Sequence, residues 1–238
     1  MKNTWRKLRR SLIPFKWEQK YVAYLHFKYY QNLRKHEGTH SLQPFDQHKC
    51  VFIHIPKNGG MAVSNSLFGK NRMLGGHYSV DFYQVVFGDD FDQYTKFAIS
   101  RNPWDRLVSA YHYLKGGGMD FRDKEWEQKH IKEYKNFKDF VNEWVDQKNI
   151  YKGMHFTPQS DFVCDKNGKL LVNYVGQCEN MQEAFEEITG MLGIEGKSLA
   201  HINRSSRAQD YRQYFREKEA ARVAEVYKQD IELFGYEF

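Results

Sequence analysis

Short, continuous apolar runs mark the predicted strands of this chain. Residues 50–55 form such a run, which Pro56 closes, and a second run at 97–100 leads directly into Arg101. Runs of this length without polar alternation are typical of strands that are buried on both faces of a parallel sheet. A third strand is predicted at 170–177.

Apolar residues at helical spacing follow the predicted strands. Residues 104–114 carry them on one face, and Asn102 followed by Pro103 is a favourable start for that helix. Further helices are predicted at 137–145, 181–192 and 211–234. The polar segment 120–134 follows three glycines and shows no strand pattern, so we predict a mobile segment over a site. The alternation of strands and helices predicts an α/β fold with a mainly parallel sheet.

Composition indicates one globular domain with a basic arm. The 238 residues are 41% hydrophobic and 28% charged, which is enough apolar material for a compact core. The three cysteines form no CxxC pair, so we interpret them as reduced packing residues. Of the net charge of +6, residues 1–36 hold ten Lys and Arg against one acidic residue, or +9, which leaves −3 for the rest. We therefore predict an N-terminal arm at 1–48 and one main domain at 49–238.

The arm mixes its positive charge with aromatic residues, which is compatible with an amphipathic helix that is broken near Pro14. Its basic face either packs on the domain and is solvated, or contacts an anionic membrane surface. Nucleic acid is disfavoured as a partner, because the charge is confined to the arm and no recognition motif accompanies it. We find neither an apolar run long enough to span a membrane nor an apolar signal core, so we expect a cytoplasmic protein.

The first chemical motif follows the first predicted strand and reads Lys57, Asn58, Gly59, Gly60, Met61 and Ala62. Adjacent glycines allow a tight turn and a close approach to a ligand, and the next helix begins with unsatisfied N–H groups. We interpret the motif as an anion-binding loop with Lys57 over it. The alternative is an ordinary strand-to-helix turn whose glycines only permit the bend. It is not a Walker A loop, because Lys57 precedes the glycines and no Ser or Thr follows where Mg²⁺ would need it.

The second motif begins where the second predicted strand ends. Arg101 stands at the position where open α/β sheets bind ligands, and its planar guanidinium can hold a phosphate through two hydrogen bonds. Ser109, two turns into the following helix, can add a hydroxyl. The alternative is a surface arginine and a small packing serine. The order of both motifs on successive strand ends favours a phosphate site.

Together these motifs resemble the 5′-phosphosulfate loop and the 3′-phosphate motif of sulfotransferases that use 3′-phosphoadenosine 5′-phosphosulfate (PAPS). The resemblance is to carbohydrate sulfotransferases of the heparan 2-O- and chondroitin 4-O- type. It runs from about Lys49 to the C-terminus and includes residues 155–159, 174–180 and 203–205. It implies a P-loop-like three-layer α/β/α fold, PAPS as the donor substrate and no metal.

The resemblance also implies which residues bind the donor. Lys57 and the loop backbone would hold the 5′-phosphosulfate, and Arg101 with Ser109 would hold the 3′-phosphate. Many relatives have Thr or Ser in place of Asn58 and Met61, so hydroxyl contacts are lost in this chain. The expected donor-binding residues are Lys57, Asn58, Gly59, Gly60, Met61, Ala62, Arg101, Ser109, Ser205 and Arg207, the last two from a loop that often closes over the nucleotide.

The attacking hydroxyl needs a base, and ten histidines compete for this role. His77 lies at a place similar to that of a proposed catalytic histidine in 2-O-sulfotransferase relatives, so it is the predicted base, with His155 as the alternative. Lys57 would neutralise the charge that grows on the leaving adenosine bisphosphate. His54, on the first strand run, is interpreted as a core residue.

The acceptor that the resemblance implies is a carbohydrate hydroxyl on a glycan or a glycolipid precursor. Trp126, Tyr134 and Tyr151 would suit stacking on sugar rings. Two alternatives stay open. One is sulfuryl transfer to a lipid, peptide or small metabolite, and the other is a non-catalytic protein that binds a nucleotide or a membrane.

Overall fold

The computed structural model describes residues 14–69, 74, 76–199 and 210–238. The chain divides into two compact units. The first consists of the described parts of Met1–Ser100 and Gln159–Ile202, and the second of Arg101–Pro158 with the described part of Asn203–Phe238. The predicted site residues Ser205 and Arg207 lie outside the described residues.

Helices and strands alternate along the chain. The strands are β1 (Cys50–Ile53), β2 (Thr95–Ser100) and β3 (Tyr174–Gln177). The helices before β2 are α1 (Phe15–Leu25), α2 (Phe27–Lys35), α3 (Gln43–His48), α4 (Gly60–Phe68), α5 (Val80–Phe87) and α6 (Asp89–Gln93). Between β2 and β3 lie α7 (Pro103–Lys115), α8 (Phe121–His130), α9 (Phe137–Asp139) with a π-helical continuation (Phe140–Trp144), a 3₁₀ turn (Asn149–Lys152) and α10 (Ser160–Val163). After β3 come a 3₁₀ turn (Cys178–Asn180), α11 (Met181–Leu192), a second 3₁₀ turn (Tyr211–Tyr214), α12 (Glu217–Val226) and α13 (Lys228–Phe234).

The sheet of the first unit is parallel, with the strand order β1-β2-β3. Cys50 pairs with Thr95, and Phe97 pairs with Tyr174. All residues of β1 are buried, and so are those of β2 from Lys96 onwards, as their continuous apolar runs predict. The parallel arrangement brings the carboxyl ends of the strands to one edge, where sheets of this type bind ligands. The predicted α/β class is confirmed.

Helix α11 packs directly on β2 and β3. This close approach requires Gly176, because a Cβ at that position would lie 2.5 Å from the Cβ of Ala184. The helix ends at Gly193, which has a left-handed backbone with φ of 61°, as the sequence predicts. The predicted third strand is shorter than expected, because Leu170 instead forms an isolated antiparallel bridge with Cys164.

The first helices of the basic arm pack on the first unit. Helix α1 contacts α5, and its Ala23 is fully buried. The ring of Phe15 lies 4.9 Å from that of Phe162, and the hydroxyls of Tyr30 and Tyr78 are 2.9 Å apart. The packing interpretation of the arm therefore holds for its inner face. The predicted domain boundary after residue 48 stays a prediction.

An aromatic core holds the second unit together. Trp144 contacts both Phe140 and Phe156, with ring centroids 5.1 and 4.9 Å away. Helix α12 packs on the π-helical segment, and the indole N–H of Trp104 donates to the carbonyl oxygen of Ala220 across 2.9 Å. These contacts bury the apolar face of α7 that the helical spacing predicts.

The structure corrects one predicted element of the second unit and specifies another. The segment 211–234 does not form one helix, because the Glu219 carboxylate accepts the backbone N–H of Arg216 at 3.0 Å and starts a new helix there. The segment 120–134 contains no strand, and most of it is α8, because Asp120 caps this helix by accepting the backbone N–H groups of Arg122 and Asp123. Its mobility over a site stays a prediction.

Candidate active site

The loop after β1 holds two residues in the left-handed backbone conformation. Lys57 has a φ of 72° and Gly59 a φ of 73°. For a residue with a Cβ this conformation costs about 1–2 kcal/mol, and such strain concentrates where a chain binds ligands. The sequence signal of two glycines therefore marks a strained turn, and the strain extends to the lysine.

The turn leads into the amino end of α4, where Gly60 is buried and Met61 is 37% exposed. Within the described part of the chain, no side chain caps this end, and the first turn of α4 holds no acidic residue. The N–H of Ala62 donates to the carbonyl oxygen of Gly59 across 3.0 Å. The N–H groups that this helix start offers to an anion are therefore those of Gly60 and Met61. Whether the backbone of Ala62 contacts the donor stays a prediction.

Asn58 braces the loop from inside the protein. Its side chain is 1% exposed, and its Nδ2 donates to the carbonyl oxygen of Ile99 at 2.6 Å and to Oε1 of Gln159 at 2.7 Å. The first bond ties the loop to the carboxyl end of β2. Asn58 thus uses its side chain for structure, and only its backbone remains as a donor-binding group. The bracing role of Gln159 has no signal in the local sequence, because it lies 101 residues away from Asn58.

Both glycines of the loop are required by close contacts as well as by the turn. A Cβ on Gly60 would overlap the imidazole ring of His54, and a Cβ on Gly59 would lie 2.7 Å from Cε of Met181. The α4 amino end therefore sits directly on the His54 ring. A larger residue at Gly60 would push the helix start away from its position.

His77 is oriented by the residue that supports the loop. Nδ1 of His77 lies 2.8 Å from the carbonyl oxygen of His54, and the two rings are 4.4 Å apart. Since a carbonyl oxygen only accepts, His77 must carry its proton on Nδ1 in this contact. The neutral ring then has its lone pair on Nε2, the tautomer that a general base requires. His54 therefore connects the predicted base with the predicted anion-binding loop inside the first unit.

His54 itself is held neutral. Its ring stacks on Phe52, with centroids 5.3 Å apart and planes at 14°. Burial, followed by the nearby His77, lowers the pKa of His54 well below its usual value. This packed environment agrees with the interpretation of His54 as a core residue.

The second motif lies in the second unit. Asn102 caps α7 by accepting the N–H groups of Trp104 and Asp105, as predicted. The side chain of Arg101 donates from Nε to Oδ2 of Asp105 at 2.8 Å, and its Nη2 lies 2.7 Å from the same oxygen. Asp105 thus fixes the direction of the guanidinium. Ser109 is half-buried and stands one helical turn after Asp105, on the same face of α7.

The sequence motifs predict no role for Asp105, yet this residue contacts the guanidinium of Arg101. Arg101 lies before α7 and Asp105 lies in its first turn, so the ion pair forms across the start of the helix. A carboxylate bound to Arg101 competes with an incoming phosphate, yet a guanidinium has five N–H donors and can serve both. We therefore assign Asp105 a positioning role.

The alternative base and the predicted sugar platforms also lie in the second unit. The ring of His155 is 5.3 Å from that of Tyr113, whose hydroxyl donates to Asp123 at 2.6 Å. The indole N–H of Trp126 donates to the carbonyl oxygen of Lys152 at 2.7 Å, and its ring packs on the aromatic core. Trp126 is therefore a structural residue on its inner side, whereas Tyr151 is 42% exposed.

Comparison with known proteins gives the class of this protein. A family model described as the sulfotransferase family matches residues 44–237. The chain belongs to this family, and it is an enzyme that transfers sulfuryl groups. An uncharacterized protein of Archaeoglobus fulgidus is 29% identical over 113 residues, which are 48% of this chain and 79% of that protein. No solved structure matches the chain significantly.

The described residues hold neither a metal-binding cluster nor a membrane-spanning helix. Over 14–69, 74, 76–199 and 210–238, no cluster of three potential metal-ligating side chains occurs. In the same part of the chain, no helix is both long and apolar enough to cross a membrane. All three cysteines are free, and Cys50 and Cys164 are buried.

Proposed function

We propose that this sulfotransferase moves the sulfuryl group of PAPS to a hydroxyl of a carbohydrate acceptor, on a glycan or a glycolipid. The observation that carries the donor assignment is the strained loop at Lys57 and Gly59, which ends at an uncapped helix start next to an oriented histidine. The family supports sulfuryl transfer in general. The carbohydrate acceptor rests on the resemblance of the paired motifs to carbohydrate sulfotransferases.

The donor has two anionic ends, and the chain offers a cationic group for each. Lys57 with the N–H groups of Gly60 and Met61 suits the 5′-phosphosulfate, because a lysine and a helix amino end both favour negative charge. Arg101 suits the 3′-phosphate, because its planar guanidinium can bind two phosphate oxygens. Ser109 adds a hydroxyl on the same helix face as the Asp105 that positions Arg101.

The transfer step needs positioning, charge stabilisation and one proton acceptor. The acceptor oxygen forms a bond to sulfur while the bond from sulfur to the bridging phosphate oxygen breaks, and adenosine 3′,5′-bisphosphate leaves. The hydroxyl proton moves to Nε2 of His77, whose Nδ1 proton is held by His54. Lys57 stabilises the charge that develops on the leaving phosphate oxygen. These steps use no metal ion.

A transfer assay with radiolabelled PAPS tests this function. The purified protein is incubated with panels of glycans, glycolipids, lipids, peptides and small phenols or alcohols, and labelled products are resolved by mass. We expect transfer to glycans or glycolipids, and loss of transfer in Lys57→Ala but not in Lys166→Ala, an exposed turn lysine. Transfer only to lipids, peptides or small metabolites would overturn the carbohydrate assignment and keep the donor assignment. Failure to bind adenosine 3′,5′-bisphosphate would overturn both.

The cytoplasmic location stays a prediction.

A further inference from the structure

The outer face of helices α1 and α2 is an exposed aromatic surface. Trp17 is 67% exposed, Tyr21 48% and Tyr24 68%. Their spacing of four and three residues puts them in one row along the helix. Leu25, Phe27 and Tyr29, around the junction with α2, are exposed as well. We call these six residues the aromatic face.

Packing within the unit does not account for the aromatic face. Helix α1 already covers α5 with its opposite side, where Ala23 is fully buried and Gln19 accepts the N–H of Ser79 at 3.4 Å. The only acidic residue in 15–35, Glu18, is 6% exposed and lies on that inner side. The outer side therefore combines large aromatic side chains with an absence of negative charge in the described helices.

Some cations of the arm form ion pairs within the first unit, and others are exposed. Lys20 pairs with Asp81 at 3.2 Å, and Arg34 donates to Asp46 at 2.6 Å, so these two residues fasten the helices inward. Lys28 and Lys35 are exposed and lie on α2, next to the aromatic face in sequence. The segment 1–13 immediately before α1 adds five Lys and Arg and no acidic residue. Positive charge therefore surrounds the aromatic residues along the chain.

We propose that the aromatic face binds the surface of an anionic phospholipid bilayer. Trp and Tyr place an apolar ring among lipid chains and a polar atom at the headgroups, so they favour the membrane interface. Lysines beside them pair with anionic headgroups, and the two effects add. A nucleic acid would use the charge but not the row of large aromatic side chains along a helix. A second copy of this chain would carry the same +9 and would repel it.

The test measures binding of the full chain to vesicles of phosphatidylcholine alone and of phosphatidylcholine with about one third phosphatidylserine. Co-sedimentation is compared for the parent, for the triple variant Trp17→Ser, Tyr21→Ser and Tyr24→Ser, and for Lys28→Glu. Phe121→Ser and Lys218→Glu are the matched controls, because Phe121 is 76% exposed and Lys218 is exposed, both in the second unit. Thermal unfolding of each variant confirms the fold. Quenching of tryptophan fluorescence by brominated lipid, reduced in Trp17→Phe, reports insertion without relying on the triple variant.

We expect the parent to bind the anionic vesicles and to lose this binding as the salt concentration rises. The triple variant should bind at least tenfold more weakly, Lys28→Glu severalfold more weakly, and both controls like the parent. Absence of parental binding to anionic vesicles, or unchanged binding of the triple variant, would overturn the proposal. The proposal would also be overturned if the parent formed a dimer without binding vesicles and the triple variant were monomeric. A second copy of this chain would then cover the aromatic face. Retention of an oligonucleotide by the aromatic face in place of vesicles would overturn it equally.

Discussion

His77 donates from Nδ1 to the backbone carbonyl oxygen of His54 across 2.8 Å. Because a main-chain atom makes this contact, the tautomer of His77 does not depend on the side chain at position 54. The contact predicts that His77→Gln lowers turnover by about 10²–10⁴-fold, as expected for loss of a general base. Binding of adenosine 3′,5′-bisphosphate should stay close to that of the parent, since the base touches the acceptor proton and not the donor.

Rapid-quench turnover and calorimetric binding measure the two quantities separately. His36→Gln, on an exposed residue after α2, is the matched control. Parental turnover in His77→Gln together with loss of turnover in His155→Ala would move the base to His155. A loss of binding and turnover together in His77→Gln would indicate a role in donor binding.

Arg101 and Asp105 form an ion pair in which each side chain is only 16% exposed. We predict that Arg101→Ala weakens binding of adenosine 3′,5′-bisphosphate by about 1.5–3 kcal/mol, the usual contribution of a hydrogen bond to a charged group. Binding of adenosine 5′-phosphate should change little, because it lacks the 3′-phosphate. Calorimetry with both nucleotides measures the difference. Arg122→Ala removes an exposed arginine paired with Asp120 and should leave both affinities unchanged. Equal weakening for both nucleotides would remove the 3′-phosphate assignment.

The Asn58 side-chain amide binds two protein groups, so we expect its removal to lower the stability of the protein. Asn58→Ala removes the buried amide that donates to the carbonyl oxygen of Ile99 and to Oε1 of Gln159. The free energy of unfolding should fall by about 2–4 kcal/mol, because each lost bond also leaves a desolvated acceptor. Urea denaturation measures this change. Asn32→Ala, at an exposed site on α2, should stay within about 0.5 kcal/mol of the parent. A small effect at Asn58 would mean that the loop is not held by this amide.

Sequence patterns predicted those parts of the fold in which local signals and burial agree. The strands β1 and β2 follow continuous apolar runs, and α7 starts at the Asn102 and Pro103 signal. The single helix predicted for 211–234 is wrong, because its break depends on Glu219, which also accepts Nδ2 of Asn142, 77 residues away. Periodicity is a local property and cannot register such a long-range partner.

In the candidate site, too, local signals were readable in the sequence and long-range contacts were not. Lys57 and the two glycines are readable in sequence because a turn restricts the residues it accepts. The brace from Asn58 to Gln159 and the carbonyl oxygen that orients His77 are contacts between distant segments, so no local pattern carries them. The contact between Arg101 and Asp105 spans the start of α7, so the periodicity of the helix does not predict it either.

Gly60 tests whether the loop tolerates any side chain. A Cβ there would overlap the His54 ring, so Gly60→Ala should lower the free energy of unfolding by about 1–3 kcal/mol, as overpacking usually does. Donor affinity should fall as well, because the helix start moves away. Gly190→Ala is the matched control in α11. Among the described residues, no atom beyond its chain neighbours and its own helix backbone lies within 4 Å of the Cβ position, and the change should stabilise the helix by about 0.5–1 kcal/mol. A Gly60→Ala variant with parental stability and donor affinity would show that the ring and the helix start can separate freely.

The lowered pKa of His54 makes the stability of the protein depend on pH. Burial and then His77 lower the pKa of His54, and burial and then Lys197 lower the pKa of His48. Below the unfolded value of about 6.5, the unfolded chain binds protons that the native state refuses. Stability should therefore fall as the pH drops from 7 to 5, by up to about 1.4 kcal/mol per pH unit for the His54 proton. The contribution of His48 should be smaller, because solvent screens this more exposed ring.

His54→Phe should reduce this slope, because phenylalanine keeps a ring stacked on Phe52 without a titrating nitrogen. Carboxylates with a lowered pKa, such as Asp165 and Glu219, act in the opposite range, since their stabilisation is lost only at lower pH. Urea midpoints at pH 7, 6 and 5 for the parent, His54→Phe and His48→Phe measure the separate contributions. A parental slope that His54→Phe leaves intact would mean that His54 is charged in the native protein or that its ring gains water on protonation.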